Sequence, residues 1–301
     1  MVPSYIKAKQ DGSLEEKAEE LEKMASPCVL CPRQCKARRK EGSLGYCKAP
    51  YELYVSSAFP HFGEEAPLVG SRGSGTLFLT HCNIRCVFCQ NYEISFFGDG
   101  APTSPKDLAH MMVRLQKAGC HNINFVTPTH YVPQIVQAIS YAIDMRLSIP
   151  LVFNCGGYES LEVIRLLEGI FDIYMPDIKF LDPNLSQRYL NARDYPQVVK
   201  EVVREMHRQV GDLKTDSQGV AERGLIIRHL VMPSHIEDTK EVLRFVREEI
   251  SKDAFVNIMA QYHPCHKAFE FPEIGRRITE AEYLEALEFA RKIGLRRAAT
   301  H

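Results

Sequence analysis

The chain has 301 residues, 45% of them hydrophobic and 25% charged, the composition of a folded globular protein of one or two domains. Lys+Arg total 37 against 38 Asp+Glu, and a net charge of −1 argues against a polyanionic partner. The opening MVPSYIKAKQDGSLEEKAEE is too polar for a signal peptide, nothing approaches the roughly 18 apolar residues of a membrane span, and ten cysteines in such a chain point to a cytoplasmic metalloprotein rather than a disulfide scaffold.

In chain order, residues 11–26 predict a short helix with Leu14, Ala18, Leu21 and Met24 on one stripe, stopped by Pro27. A first cysteine group follows, Cys28, Cys31, Cys35 and Cys47, in CVLCPRQCKARRKEGSLGYC. Four thiols within twenty residues, with Gly42 and Gly45 allowing a turn, suit a closed four-ligand site for structural zinc or a second iron–sulfur cluster. The basic run Arg33, Lys36, Arg38, Arg39 and Lys40 reads as a solvated face. Residues 50–75, punctuated by Gly and Pro, read as short strands and a linker. The β-prone run Thr76–Thr80 then leads into Cys82, Cys86 and Cys89, spaced Cys-x3-Cys-x2-Cys. Soft thiolates at that density suit zinc or an iron–sulfur cluster, and three ligands on one loop leave a fourth corner open, as catalytic metal centres do.

Beyond the loop, helices alternate with apolar strands: helix 105–118 and strand 122–127, helix 132–145 and strand 150–154, helix 160–167 and strand 173–180, helix 196–210 and strand 225–232, helix 239–250 and strand 255–262. A last amphipathic helix spans 278–294, with Tyr283, Leu284, Leu287 and Ala290 as its stripe. Six parallel strands covered by helices are too few for a full barrel, so the expected fold is α/β, a partial (β/α)6 TIM-like barrel with an N-terminal Cys-rich extension and a C-terminal helix; an open doubly wound sheet is the alternative. The expected division is 1–72, Cys-rich metal-binding region and linker, and 73–301, barrel.

In α/β barrels chemistry collects at the carboxyl ends of the strands. Those ends carry Thr127, Thr129 and His130; Asn154; Met175, Asp177 and Lys179; Arg228 and His229; then His263, Cys265 and His266. Asp177 and Lys179, two apart, point to one face of their strand, either as a structural salt bridge or as contacts for the two ends of a zwitterion. Cys120, Cys155 and Cys265 lack ligand spacing and read as packing residues.

The loop Cys82-Asn-Ile-Arg-Cys86-Val-Phe88-Cys89 resembles the cluster loop of the radical S-adenosylmethionine (radical SAM) enzymes, including the aromatic residue, Phe88, before the third cysteine. More narrowly, CxxCPRxC, QNYEIS and NINFVTPTHYVPQI resemble a branch of the pyruvate formate-lyase activating enzymes, over roughly residues 28–293. The resemblance implies a [4Fe–4S] cluster on Cys82, Cys86 and Cys89, S-adenosylmethionine (SAM) on the open iron, reductive cleavage to a 5′-deoxyadenosyl radical, and hydrogen abstraction. It implies that Asn154, Met175, Asp177, Lys179 and Arg228 meet SAM, with His263 near the adenosine. It further implies an electron donor such as flavodoxin or ferredoxin and a glycyl radical enzyme as protein substrate. No Gly-Gly-Glu follows strand two; TPTH stands there, with Thr127, Thr129 and His130 as substitutes. SRGSG replaces the activases' Asp-Gly-Pro-Gly. The alternatives are a radical SAM enzyme acting on a small molecule or RNA, the RNA disfavoured because the arginines form no basic–aromatic stripe, and a non-catalytic metal-binding regulator.

Overall fold

The computed structural model describes residues 2–300. The chain opens with α1 (Ser4–Gln10) and α2 (Ser13–Met24), separated at Gly12, whose φ of 82° a side chain would strain. The sequence stripe finds α2, with Leu14 and Leu21 buried, but misses α1, too short to show periodicity.

The stretch read as short strands and a linker contains β1 (Tyr54–His61), eight residues long, and α3 (Ala66–Val69). β1 lies antiparallel to β2 (Ser74–Leu79), Ala58 opposite Leu77. After β2 come α4 (Tyr92–Phe97) and the two-residue β3 (Ala101–Pro102), then α5 (Pro105–Lys117), started by the Ser104 cap and Pro105. The alternation continues through β4 (Ile123–Val126), α6 (Val132–Asp144), β5 (Leu151–Cys155), α7 (Leu161–Leu166) and β6 (Ile173–Pro176). Two helices follow, α8 (Pro183–Leu190) and α9 (Tyr195–Val210), where the sequence predicts one. The remainder is β7 (Lys214–Thr215), β8 (Ala221–Leu230), α10 (Ile236–Phe245), β9 (Phe255–Met259), α11 (Glu280–Lys292) and β10 (Arg297–Thr300).

The six predicted strands are β2, β4, β5, β6, β8 and β9, parallel and adjacent in chain order. That sequential winding is the barrel arrangement, not the doubly wound one, and the sheet does not close. Among the described residues the sheet has ten strands rather than six: β1 and β3 extend one edge, β10 extends the other, and β7 pairs with β8. Every residue of β5 and β6 is buried, as expected of parallel strands covered on both faces. In α11 the Thr279–Glu282 capping box starts the helix; Leu287 and Ala290 are buried, but Leu284, expected on the stripe, is exposed.

Segment 62–73 turns back beneath the sheet. Leu68 joins Val152, Ile173, Met175, Leu213, Ala221 and Ile226 in an apolar floor, and Asn122 Nδ2 holds the Leu68 carbonyl at 2.8 Å. Among the described residues no helix is long and apolar enough to cross a membrane.

Candidate active site

β2 delivers the three-cysteine loop to the carboxyl end of the sheet. His81 (φ 68°) and Arg85 (φ 59°) take left-handed conformations that curl the loop back. The Ile84 N–H points at Cys82 Sγ, 3.4 Å away, and Cys89 Sγ lies 3.1 Å from Ser95 Oγ. Ile84 packs against Gly156, where a Cβ would overlap Ile84 Cδ1. The Val87 N–H donates to the Tyr189 carbonyl at 3.0 Å, and Phe88 meets Phe180 and Tyr262 edge-on. Cys86 is buried, Cys82 and Cys89 half-buried. Burial pushes the Cys82 thiol up to about 11 and Cys86 higher still; bound iron would reverse this by deprotonating them.

Facing the loop, β5, β6 and β8 contribute one polar network. Arg228 Nε donates to Asp177 Oδ1 at 2.8 Å, Arg228 Nη2 to Asn154 Oδ1 at 2.7 Å, and Lys179 Nζ to Asp177 Oδ2 at 2.7 Å. Burial works against ionisation of Asp177, but Arg228 and then Lys179 outweigh it and hold the carboxyl below its usual range. Burial likewise opposes the Lys179 charge, and Asp177 then Cys86 override it, so the ammonium is retained. Two carboxylates missed by the sequence reading approach Arg228 from segment 62–73: Glu64 at 3.7 Å and Glu65 at 3.9 Å. Asn257 Nδ2 donates to Glu65 Oε1 at 3.1 Å. Nothing in GEEAP marks these carboxylates as interior; only the inward turn of the segment does.

Loop and network enclose an open cavity of about 240 Å³, lined among others by Cys86, Phe88, Cys89, Asp177, Lys179 and Arg228. Of the residues expected around SAM, Asn154 reaches it through Arg228, and His263 stands at its rim, bonded to the lining Gln90 at 3.2 Å. Thr127 and Thr129 do not line it: Thr127 (φ 60°) donates its N–H to the Asn154 carbonyl, and Thr129 Oγ1 is committed to Glu159 at 3.0 Å. His130 is buried, with Nε2 2.8 Å from the Thr80 carbonyl. His229 bonds the Ile178 carbonyl and Thr239 inside the core. Met175 lies in the floor, and Cys120 and Cys155 are buried.

One further residue braces the network. The Tyr195 hydroxyl lies 2.9 Å from the carbonyls of both Gly156 and Asp177 and accepts the Lys179 N–H at 3.0 Å. Gly157 (φ 80°) leaves the room: a Cβ there would lie 3.1 Å from that hydroxyl and overlap the Asp177 carbonyl. Tyr195 opens α9 and looks like a core aromatic in sequence.

The N-terminal cysteines lie behind the loop. Cys28, Cys31 and Cys47 are buried and Cys35 is exposed. The N–H groups of Leu30, Arg33 and Ala49 donate to Cys28, Cys31 and Cys47, each from two residues further on, and Gly45 leaves room only for the Cys35 sulfur. The basic run is not simply a solvated face. Arg39 is buried, bonded to the carbonyls of His130 and Pro50, and its charge bears on Cys28 and Cys47. Arg33 reaches the carbonyls of Asn83, Leu190 and Asn191 and stacks on Tyr46 at 3.9 Å. Among the described residues no three Cys, His, Asp or Glu side chains converge to hold a single metal ion. A cubane cluster takes one thiolate per iron, so the donor set on the Cys82–Cys89 loop fits it without such convergence.

The family model of the radical SAM superfamily matches residues 76–246. The uncharacterized protein MJ0674 of Methanocaldococcus jannaschii is 34% identical over 292 residues, covering 94% of this chain and 79% of that protein. A second protein of that organism, MJ0808, is 24% identical over 286 residues, covering 89% and 77%. The solved structure of Streptococcus suis SuiB superposes with a TM-score of 0.50 at 14% identity, over 74% of this chain and 47% of SuiB; this is a likeness of fold. The chain thus spans about half the length of that structure.

Proposed function

The chain belongs to the radical SAM superfamily, and from that premise we propose an enzyme that binds a [4Fe–4S] cluster through Cys82, Cys86 and Cys89 and SAM in the adjoining cavity. One observation carries the reading: the cavity that Cys86 and Cys89 enter is walled by Asp177, Lys179 and Arg228. When bound, the cluster and SAM together supply a 5′-deoxyadenosyl radical, the species that removes a hydrogen atom from the substrate. The protein's share is to bind and orient. Arg228 and Lys179 offer positive charge to the SAM carboxylate, Asp177 offers a carboxylate to its ammonium group, and Asn154 holds Arg228 in place. Phe88, held edge-on by Phe180 and Tyr262, gives the cavity an apolar wall.

The proposal extends to Cys28, Cys31, Cys35 and Cys47 as ligands of a second iron–sulfur centre; the expected alternative, a single zinc ion, would need the convergence that is absent among the described residues. Burial raises the Cys28, Cys31 and Cys47 thiols, Cys31 to about 12, while the N–H groups of Leu30, Arg33 and Ala49 and, at Cys28 and Cys47, the buried Arg39 act the other way; a bound metal would complete the deprotonation. A flavodoxin or ferredoxin would supply the electron. Activation of a glycyl radical enzyme rests on the sequence resemblance alone.

The test is anaerobic reconstitution with iron and sulfide, followed by SAM and a strong reductant. About four irons at the loop and 5′-deoxyadenosine are expected. A protein with Cys82, Cys86 and Cys89 all changed to Ala that still releases 5′-deoxyadenosine refutes the assignment.

A further inference from the structure

Beside the first cavity lies a second, of about 300 Å³, lined by Glu64, Glu65 and Asn257 and sharing Arg228, Met259 and Gln261 with the first. We propose that this second cavity is the substrate subsite and that it binds a primary ammonium group. The proposal rests on the reading of the first cavity as the SAM site, because only then does the second adjoin the place of reaction.

The argument begins with unmet acceptors. Glu65 is 3% exposed and its Oε2 has no partner; Asn257 is 1% exposed and its Oδ1 has none. Buried acceptors without donors are costly. With the Glu64 carboxylate they make three acceptor groups lining one cavity. A primary ammonium group has three N–H donors and no acceptor.

Charge points the same way. Across the two cavities three carboxylates, Glu64, Glu65 and Asp177, face two cations, Arg228 and Lys179. Arg228 and Lys179 both spend their shortest bonds on Asp177. Burial, despite Arg228, raises Glu64 to about 7, and the negative charge of neighbouring Glu65 adds to the rise. A cation placed beside the two carboxylates would offset that crowding of negative charge. A metal ion is the other cation to consider, but among the described residues no three acidic, His or Cys side chains are placed to hold one.

The neighbouring apolar surface suits a short carbon chain. Met259 belongs to both cavities, with Leu230 and Met232 in the first. A substrate anchored at Glu64 and Glu65 would lay its carbons along Met259 toward the first cavity.

The test uses reconstituted protein with SAM and three probes that share a butyl chain: n-butylammonium, n-butanol and butyltrimethylammonium. Binding is read by calorimetry and by the thermal denaturation midpoint. The expected result is that n-butylammonium binds at least tenfold more tightly than either control, and that Glu64→Gln removes the preference. The wild-type comparison needs no mutant to fold. Equal binding of the three probes overturns the subsite, as does stoichiometric magnesium or potassium binding that excludes n-butylammonium. If the Glu64→Gln protein retains the wild-type preference for ammonium, the assignment to this cavity is wrong. Failure of the wild type to cleave SAM overturns the proposed function instead, and the subsite loses its meaning with it.

Discussion

Arg33 Nε donates to the Asn83 carbonyl at 3.1 Å, so a side chain two residues beyond Cys31 grips the residue immediately after Cys82. The Tyr46 hydroxyl, next to Cys47, reaches the Ile84 carbonyl at 3.4 Å from the same side. The N-terminal cysteine segment therefore clamps the backbone of the three-cysteine loop. Arg33→Met, which keeps the stem and deletes the guanidinium, is expected to cost about 2 kcal/mol and to lower iron occupancy at the loop. Denaturant unfolding and iron analysis measure both; unchanged iron content would show that the clamp is ornamental.

Tyr195→Phe removes one hydroxyl from between the Gly156 and Asp177 carbonyls and the Lys179 N–H. Leaving buried groups short of partners should destabilise the fold by about 1–3 kcal/mol. Because two of those groups belong to Asp177 and Lys179, SAM affinity should fall together with stability. A stability loss with unaltered SAM binding would confine Tyr195 to a packing role.

Asp177→Asn leaves Arg228 and Lys179 without their shared anion in a site where the side chains are only 18–19% exposed. Removing one partner of a buried ion pair costs about 3–5 kcal/mol, and SAM affinity should drop at least tenfold. Equilibrium dialysis with labelled SAM decides this.

Glu159 is buried, with Oε2 unpartnered, and burial raises its pKa from 4.5 to about 7. The folded state therefore holds a proton that the unfolded state releases. Its contribution is complete below the ordinary carboxylate value, declines as pH rises toward 7, and is flat above that. Stability should fall with rising pH across that window, by at most about 1.4 kcal/mol per pH unit from this group. Glu159→Gln should flatten the profile and be relatively more stable at pH 8; the slope left would come from groups shifted in the same sense, such as Glu64. An unaltered profile of the denaturation midpoint against pH would contradict the assignment.

Gly45→Ala places a methyl group where Cys35 Sγ lies. Metal held at the proposed second centre should be lost from this variant and from Cys31→Ser alike. Elemental analysis of zinc and iron, set against the wild type, reads the loss. Equal metal content in all three proteins would remove the second centre.

The parallel strands were legible because each is a short apolar run between helical patterns, and the three thiols because their spacing carries chemistry by itself. Asp177 and Lys179 were legible from the two-residue period of a strand. Glu64 and Glu65 were not, since their segment has no period and only its fold beneath the sheet buries them. Thr129 was misleading in its own way: a hydroxyl at a strand end suggests a ligand contact, yet buried Glu159 takes it. Arg39 looked like solvated charge because sequence shows the run and not the carbonyls of His130 and Pro50 that receive it. β10 was missed because four residues after a helix carry too little pattern to announce a strand.

The floor under the sheet has a practical corollary. Leu68 comes from ahead of the first parallel strand, yet it seals a space bounded by Val152, Ile173, Met175 and Ile226. A fragment trimmed to begin at Ser74 would open that apolar surface to water and discard Glu64 and Glu65 in the same cut. Shortened versions of this protein should therefore aggregate, and only chains that keep the leading segment can report on its chemistry.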